Sequence, residues 1–193
     1  MIRIATPADA AGMLRIYAPF ILQSGITQEV EVPDPESFAE RIRQGLLNFP
    51  WLVFEEKGRV AGYAYASKYR ERAGYQWCVE TSVYIDPEFY GQQTAGLLYR
   101  ALFSLLKLQG YINAYAVITL PNARSIAFHK KFGFAYFATY HQVGFKLDQW
   151  HDVGWMQYTI QEHETHPRDP IRFFDLREQD RQHILDQVLG PSQ

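Results

Sequence analysis

The sequence predicts an α/β (α+β) fold, strands and helices together in a single domain. Runs rich in β-branched and aromatic residues, such as residues 76–85, alternate with apolar runs at helical spacing, such as residues 95–109. Residues 51–56 and 59–67 flank a Lys57-Gly58 turn and read as a β-hairpin. The 193 residues, 47% hydrophobic and 21% charged, suffice for one sizeable core with little left for a second.

The elements follow in order. Ile2-Arg3-Ile4 is a short strand, and Thr6-Pro7 opens a helix with a cap residue and a proline at its first position. Leu14, Tyr17 and Ile21 give that helix one apolar face. Pro33-Asp34-Pro35 begins a second helix lined by Phe38, Ile42 and Leu46, and residues 23–32 between the two are long enough to cover something. The hairpin comes next, then a charged loop over residues 68–74, then the strand over 76–85. Asp86-Pro87 stops that strand, because proline cannot donate to a ladder. The helix over 95–109 is amphipathic through Leu98, Leu102, Leu105 and Leu106, and Gly110 ends it. Residues 111–118 form another strand, Leu120-Pro121-Asn122 turns into a short helix through Phe132, and residues 134–140 and 153–160 are two final strands. After Glu162 the composition becomes polar and proline-broken, which divides the chain into a domain over 1–162 and an extension over 163–193. The extension carries a helix over 175–189, and Leu176, Ile184, Leu185 and Val188 need burial on the core or on a second copy of the chain, a homodimer.

Composition narrows the function. A net charge of −2 argues against a nucleic-acid partner, and no run reaches membrane-spanning length. The amino terminus lacks a charged-then-apolar leader. The single cysteine, Cys78, excludes an internal disulfide and fits a reducing compartment, so a cytoplasmic protein is expected. Cys78 has no histidine paired to it in sequence, and His163 and His166 belong to no wider ligand pattern, so no metal is expected.

Chemistry concentrates in residues 76–96. A strand, a small-residue loop and a helix start make an anion site, since the first helical N–H groups lack intrahelical partners. Glu80 is the one acidic residue inside the strand. A carboxylate titrates near ~4.3 when free, and burial raises that value toward the range of a useful base. The alternative is a structural glutamate paired to Arg70 or Arg72, and the two roles can coexist.

FPWLVFEE, VAGYAYAS, YQWCVETSVYID, LPNARSIAFHKKFGF and WHDVGW occur in an order that resembles the GNAT superfamily of N-acetyltransferases, and within it the phosphinothricin and methionine-sulfoximine acetyltransferases. The resemblance covers residues 1–162. It implies a mixed, mostly antiparallel sheet with splayed middle strands, and acetyl-CoA as co-substrate, with a small, possibly amino-acid-like amine as acceptor. It implies Glu80 as the base and His129 as a proton donor or acceptor for the departing sulfur. It places the cofactor on Val83, Tyr84 and Ile85, on the loop Gly91, Gln92, Gln93, Thr94, Ala95 and Gly96, and on Asn122 and Ser125. It places the substrate on Gln28, Arg70, Arg72, Tyr75 and Ser82. Plainer readings stand beside these. Tyr84 could be a packed strand aromatic, Asn122 and Ser125 a helix cap, His129 a packing residue, and Arg70 and Arg72 part of a solvated loop.

The chain departs from the superfamily at the pyrophosphate loop, which usually reads Gln/Arg-x-x-Gly-x-Gly/Ala. Here Tyr90 holds the first position and Gln93 the central glycine, and Ala95 alone fits. Glycine lets backbone approach a phosphate closely, so Gln93 should reshape that approach. The same departure keeps open an acyl-CoA-binding module with weak or no turnover, and the extension keeps open a protein N-acetyltransferase. Where relatives carry an aromatic in the substrate site, Gln28 is polar, which argues against phosphinothricin itself.

Overall fold

A computed structural model describes residues 1–189, so the last four residues of the 163–193 extension lie outside the described residues. The strands are β1 Ile2–Ile4, β2 Trp51–Glu56, β3 Arg59–Lys68, β4 Cys78–Ile85, β5 Asn113–Thr119, β6 Ala135–Lys146 and β7 Gln149–Thr159. The helices are α1 Ala10–Gln23, α2 Pro35–Asn48, α3 Thr94–Gln109, α4 Ala123–Phe132 and α5 Glu178–Leu189. One sheet runs β1-β2-β3-β4-β5-β7-β6. Every neighbouring pair is antiparallel except β4 and β5. The parallel pairing covers only Cys78↔Asn113, Val79↔Ala114 and Glu80↔Tyr115. β4 runs on to Ile85 and β5 to Thr119, so the two strands part beyond Glu80 and the mixed sheet has the splayed middle that the sequence implies.

Alternation along β4 assigns its two faces. Val79, Val83 and Ile85 join the cluster around α3, with Leu98, Leu102 and Leu105 fully buried. Tyr84 points the other way and packs on Tyr17, Phe20 and Tyr63 under α1. The second cluster centres on Met13, Ile21, Phe38, Ile42, Trp51 and Val53. Each fully buried leucine or isoleucine in these layers contributes roughly 1.5–3 kcal/mol. α2 starts where Asp34 accepts from the Ser37 N–H at 2.9 Å.

The last two strands are longer than their sequence suggests. They join through Leu147-Asp148, both at positive φ (51° and 58°), a backbone that matches the twist of a two-residue hairpin. Neither residue is glycine or asparagine, so the usual hairpin signal is missing. The segment between α1 and α2 closes over the end of this hairpin. The buried Lys146 amine donates to the Thr27 carbonyl at 2.7 Å, and Gln28 Nε2 donates to the Thr119 hydroxyl at 3.0 Å.

The extension docks on the same chain. Phe173, Leu176 and Leu185 are buried in the α3 cluster, and Ile184 and Val188 pack against it. Gln109, the last residue of α3, donates to the carbonyls of Ile171 at 2.7 Å and Asn48 at 2.8 Å. The helix starts at Glu178 rather than 175, because Phe173–Asp175 forms a 3-10 turn that drives Phe173 inward.

Candidate active site

The loop after β4 is held by ion pairs. Asp86 is buried, accepting from Arg15 and from Arg59 at 2.7 Å each, and its Oδ1 accepts from the Glu88 N–H at 3.2 Å. Burial pushes the carboxyl up, but these hydrogen bonds outweigh it and leave Asp86 below its usual value. The chain then rises through Gly91 (φ 81°) and Gln93 (φ 61°) into α3. Gln93 makes no side-chain cap bond, so the N–H groups of Thr94, Ala95 and Gly96 keep the free donors of a helix start. They open onto a cleft of about 770 Å³ between this loop and α4.

Ten of the expected cofactor residues line the cleft: Val83, Tyr84 and Ile85 from β4, Gly91, Gln93, Thr94, Ala95 and Gly96 from the loop and helix, and Asn122 and Ser125 from the start of α4. Gln92 does not. Its exposed amide turns back to donate to the Glu88 carbonyl at 3.2 Å, which removes it from the cleft wall. Asn122 does cap α4, accepting from the Ser125 N–H at 3.1 Å, so the plainer reading holds alongside its place in the lining. Three cations absent from the sequence-based set, Arg100, Arg124 and Lys131, also line the cleft, and no aspartate or glutamate does. Arg124 and Lys131 lie seven apart on α4, two turns on one face, which is the signal that could have found them.

A narrower crevice of about 60 Å³ continues inward where β4 and β5 part, lined by Thr81, Ser82, Tyr99 and His129 among others. His129 is buried, its Nδ1 2.8 Å from the Ser125 carbonyl and its Nε2 3.0 Å from the Tyr99 hydroxyl. A carbonyl only accepts, so Nδ1 carries the proton, and in the neutral ring Nε2 accepts from Tyr99. Burial lowers the His129 pKa, with a partial offset from Ser125, which favours that neutral ring.

Glu80 lies half-buried on the face of β4 shared with Ser82 and Tyr84. Burial raises its pKa above the ordinary carboxylate value, and the Arg70 charge pulls it partly back. No hydrogen bond or ion pair to the Glu80 side chain occurs among the described residues, so the structural pairing with Arg70 or Arg72 is not made. Arg70 instead lies over the rings of Tyr69 and Tyr75, 5.1 Å and 5.7 Å from their centroids. Tyr69 stacks on Tyr115, the register partner of Glu80, at 4.4 Å. Arg70, Tyr75 and Glu80 therefore belong to one aromatic-walled area. Arg72 is exposed at the turn before Tyr75, with no side-chain partner among the described residues, and stands apart. Gln28 is tied to the end of β5 rather than directed at Glu80. Cys78 keeps a thiol raised by burial, consistent with a packed residue rather than a nucleophile.

A cleft with an apolar floor, free helix N–H groups and three cations suits a long ligand that joins an apolar arm to phosphates. The crevice beyond it offers a histidine–tyrosine pair, and Glu80, with its raised pKa, immediately precedes the crevice residues Thr81 and Ser82 on β4. Among the described residues, no three His, Cys, Asp or Glu side chains gather at metal-binding distance, and no helix is long and apolar enough to cross a membrane.

Comparison with known proteins gives the same picture. The family described as an acetyltransferase (GNAT) domain matches residues 2–155. The phosphinothricin N-acetyltransferase of Streptomyces viridochromogenes is 35% identical over 156 residues, 81% of this chain and 85% of that protein. An L-methionine sulfoximine/L-methionine sulfone acetyltransferase of Salmonella typhimurium is 34% identical, over 84% of this chain and 95% of that protein. The crystal structure of a GNAT superfamily phosphinothricin acetyltransferase from Sinorhizobium meliloti in complex with acetyl-CoA superposes with a TM-score of 0.82 at 33% identity, covering 87% of this chain and 92% of that one.

Proposed function

The chain belongs to the GNAT acetyltransferase family, and on that premise we propose that it moves an acetyl group from acetyl-CoA to the primary amine of a small, amino-acid-like molecule by direct attack on the thioester. The observation that carries the reading is Glu80, a half-buried carboxylate with no side-chain partner among the described residues, at the last register pair before β4 and β5 part.

Acetyl-CoA supplies the activated thioester carbonyl. The residues of the chain do the rest. Glu80, raised by burial, takes the ammonium proton and leaves the amine neutral. β3 pairs with β4 throughout, but beyond Glu80 the β5-facing edge of β4 is free, and the backbone N–H groups of Val83 and Ile85 on that edge are the donors for the carbonyl oxygen. The free N–H groups of Thr94, Ala95 and Gly96 hold phosphate, and Asn122 and Ser125 face the arm between. His129 Nε2 accepts from the Tyr99 hydroxyl at the crevice, and as the sulfur leaves, the proton that the amine nitrogen sheds on forming the amide passes to it through this pair. Arg70, beside Tyr69 and Tyr75, receives the carboxylate of the acceptor in a two-point contact.

The exposed row Phe137, Tyr140, Val143 and Phe145 on β6, the edge strand of the sheet, supports a homodimer through that edge. The free thiol of Cys78 supports a reducing, cytoplasmic setting. The experiment that tests the function is release of free CoA from acetyl-CoA across a panel of amino acids and their analogues, with CoA affinity measured by calorimetry. Turnover with amino-acid-like amines is expected. CoA binding without turnover on any amine would replace the enzyme by a binding module.

A further inference from the structure

The cleft holds a compensation for its altered loop. The first loop position, where relatives place glutamine or arginine, is Tyr90, which offers a phosphate neither an amide nor a charge. A guanidinium nonetheless sits at that position. Arg124, from the opposite wall, lies with Cζ 3.7 Å from the centre of the Tyr90 ring, a close cation–π stack. Tyr90 is itself packed against the main core, so the ring is a fixed shelf.

Nothing else in the structure accounts for Arg124. It makes no ion pair or side-chain hydrogen bond among the described residues, whereas Arg15 and Arg59 nearby are both engaged by Asp86. It occupies the first turn of α4, where a cation opposes the helix dipole, so it does not serve the helix. Its N–H groups remain available in a cleft that has no carboxylate in its lining. Contact with the ring at this distance restrains the guanidinium and lowers the entropy cost of a two-point contact with an anion.

We propose that Arg124, seated on Tyr90, grips the pyrophosphate of CoA and replaces from α4 the side-chain donor that the loop has lost. The proposal rests on the reading of the cleft as an acetyl-CoA site. Arg100 and Lys131 line the same cleft and are left for the ribose 3′-phosphate.

Calorimetric titration with CoA, dephospho-CoA and pantetheine tests it. Arg124→Ala should weaken CoA and dephospho-CoA by the same factor, roughly ten- to a hundred-fold, and leave pantetheine unchanged. Arg124→Lys should recover part of the loss, since it restores charge without the planar fork, and Tyr90→Ala should weaken both nucleotides less than Arg124→Ala does. Arg124 is exposed, so its variants should fold, and a thermal melt checks this. A loss confined to CoA, with dephospho-CoA unaffected, would move Arg124 to the 3′-phosphate and overturn the proposal. Unchanged affinity for both nucleotides would also overturn it. A wild-type protein that binds none of the three at millimolar concentration sinks the acetyltransferase reading itself, and the Arg124 assignment with it.

Discussion

Glu80 faces Tyr115 across the last register pair that β4 and β5 share, and one residue further the strands separate. The carboxylate therefore sits at the apex of the opening, fixed by sheet hydrogen bonding on one side and next to unpaired backbone on the other. Burial raises the pKa of a carboxylate so placed, and the charge of Arg70 pulls it partly back.

That balance can be measured. Glu80→Gln should lower kcat by roughly two to four orders of magnitude with little change in CoA affinity. Arg70→Ala removes the one charge that favours the carboxylate, so the acid limb of the kcat/KM profile should move to higher pH. A limb that stays in place, or moves down, contradicts the assignment of Glu80 as the titrating base.

His129 is neutral at physiological pH, since burial lowers its pKa. The unfolded chain then binds more protons than the folded one in the window below the free value of ~6.5. The stability this burial carries is present above that value and is lost as pH falls through the lowered one. Nuclear magnetic resonance should show His129 titrating below the free value of ~6.5. An unshifted His129 would mean that the ring is not buried against Tyr99 in solution.

Gln93 adopts a left-handed backbone (φ 61°) at the entrance to α3. This conformation costs a non-glycine residue of order 1 kcal/mol, and the side chain stands in the cleft lining. Gln93→Gly should tighten CoA binding by freeing the approach to the N–H groups of α3. Weaker binding, measured by titration against the wild type, would show that the glutamine amide donates to the phosphate instead.

Asp86 carries the loop on two arginines. Its lowered pKa means that its contribution is present above the ordinary value of 3.8 and is lost as pH falls through the folded value. Asp86→Asn should destabilise by about 1–3 kcal/mol in urea unfolding at pH 7, and the difference should shrink toward pH 3. A constant difference across that range would mean that the charge contributes nothing.

Much of the site was legible because it depends on local chemistry. The Asp86-Pro87 stop, the small-residue loop and the leucine spacing of α3 are short-range signals that locate an anion site, while the ten residues now lining the cleft were named through the resemblance to the superfamily. Arg124 was missed because its importance lies in Tyr90, 34 residues earlier in the chain. The aromatic wall around Glu80 was missed for a similar reason, since Tyr69 and Tyr115 meet only once β3, β4 and β5 are assembled. The Leu147-Asp148 turn escaped because tertiary packing of the segment between α1 and α2, through Lys146, accompanies a backbone that the residues themselves do not favour. Gln92 misled because sequence position in a loop does not give side-chain direction.

α3 has a different attachment at each end. Its first turn presents the free N–H groups of the cleft, and its last residue, Gln109, is bonded to Ile171 of the extension. Phe173 and Leu185 cover the same helix. Undocking of residues 163–189 thus uncovers the back of the element that forms the anion site, and a ligand held at the front opposes it by mass action. Limited proteolysis reads this directly: trypsin cutting after Arg168 or Arg172 should slow when CoA is added, which makes the extension a built-in gauge of cleft occupancy.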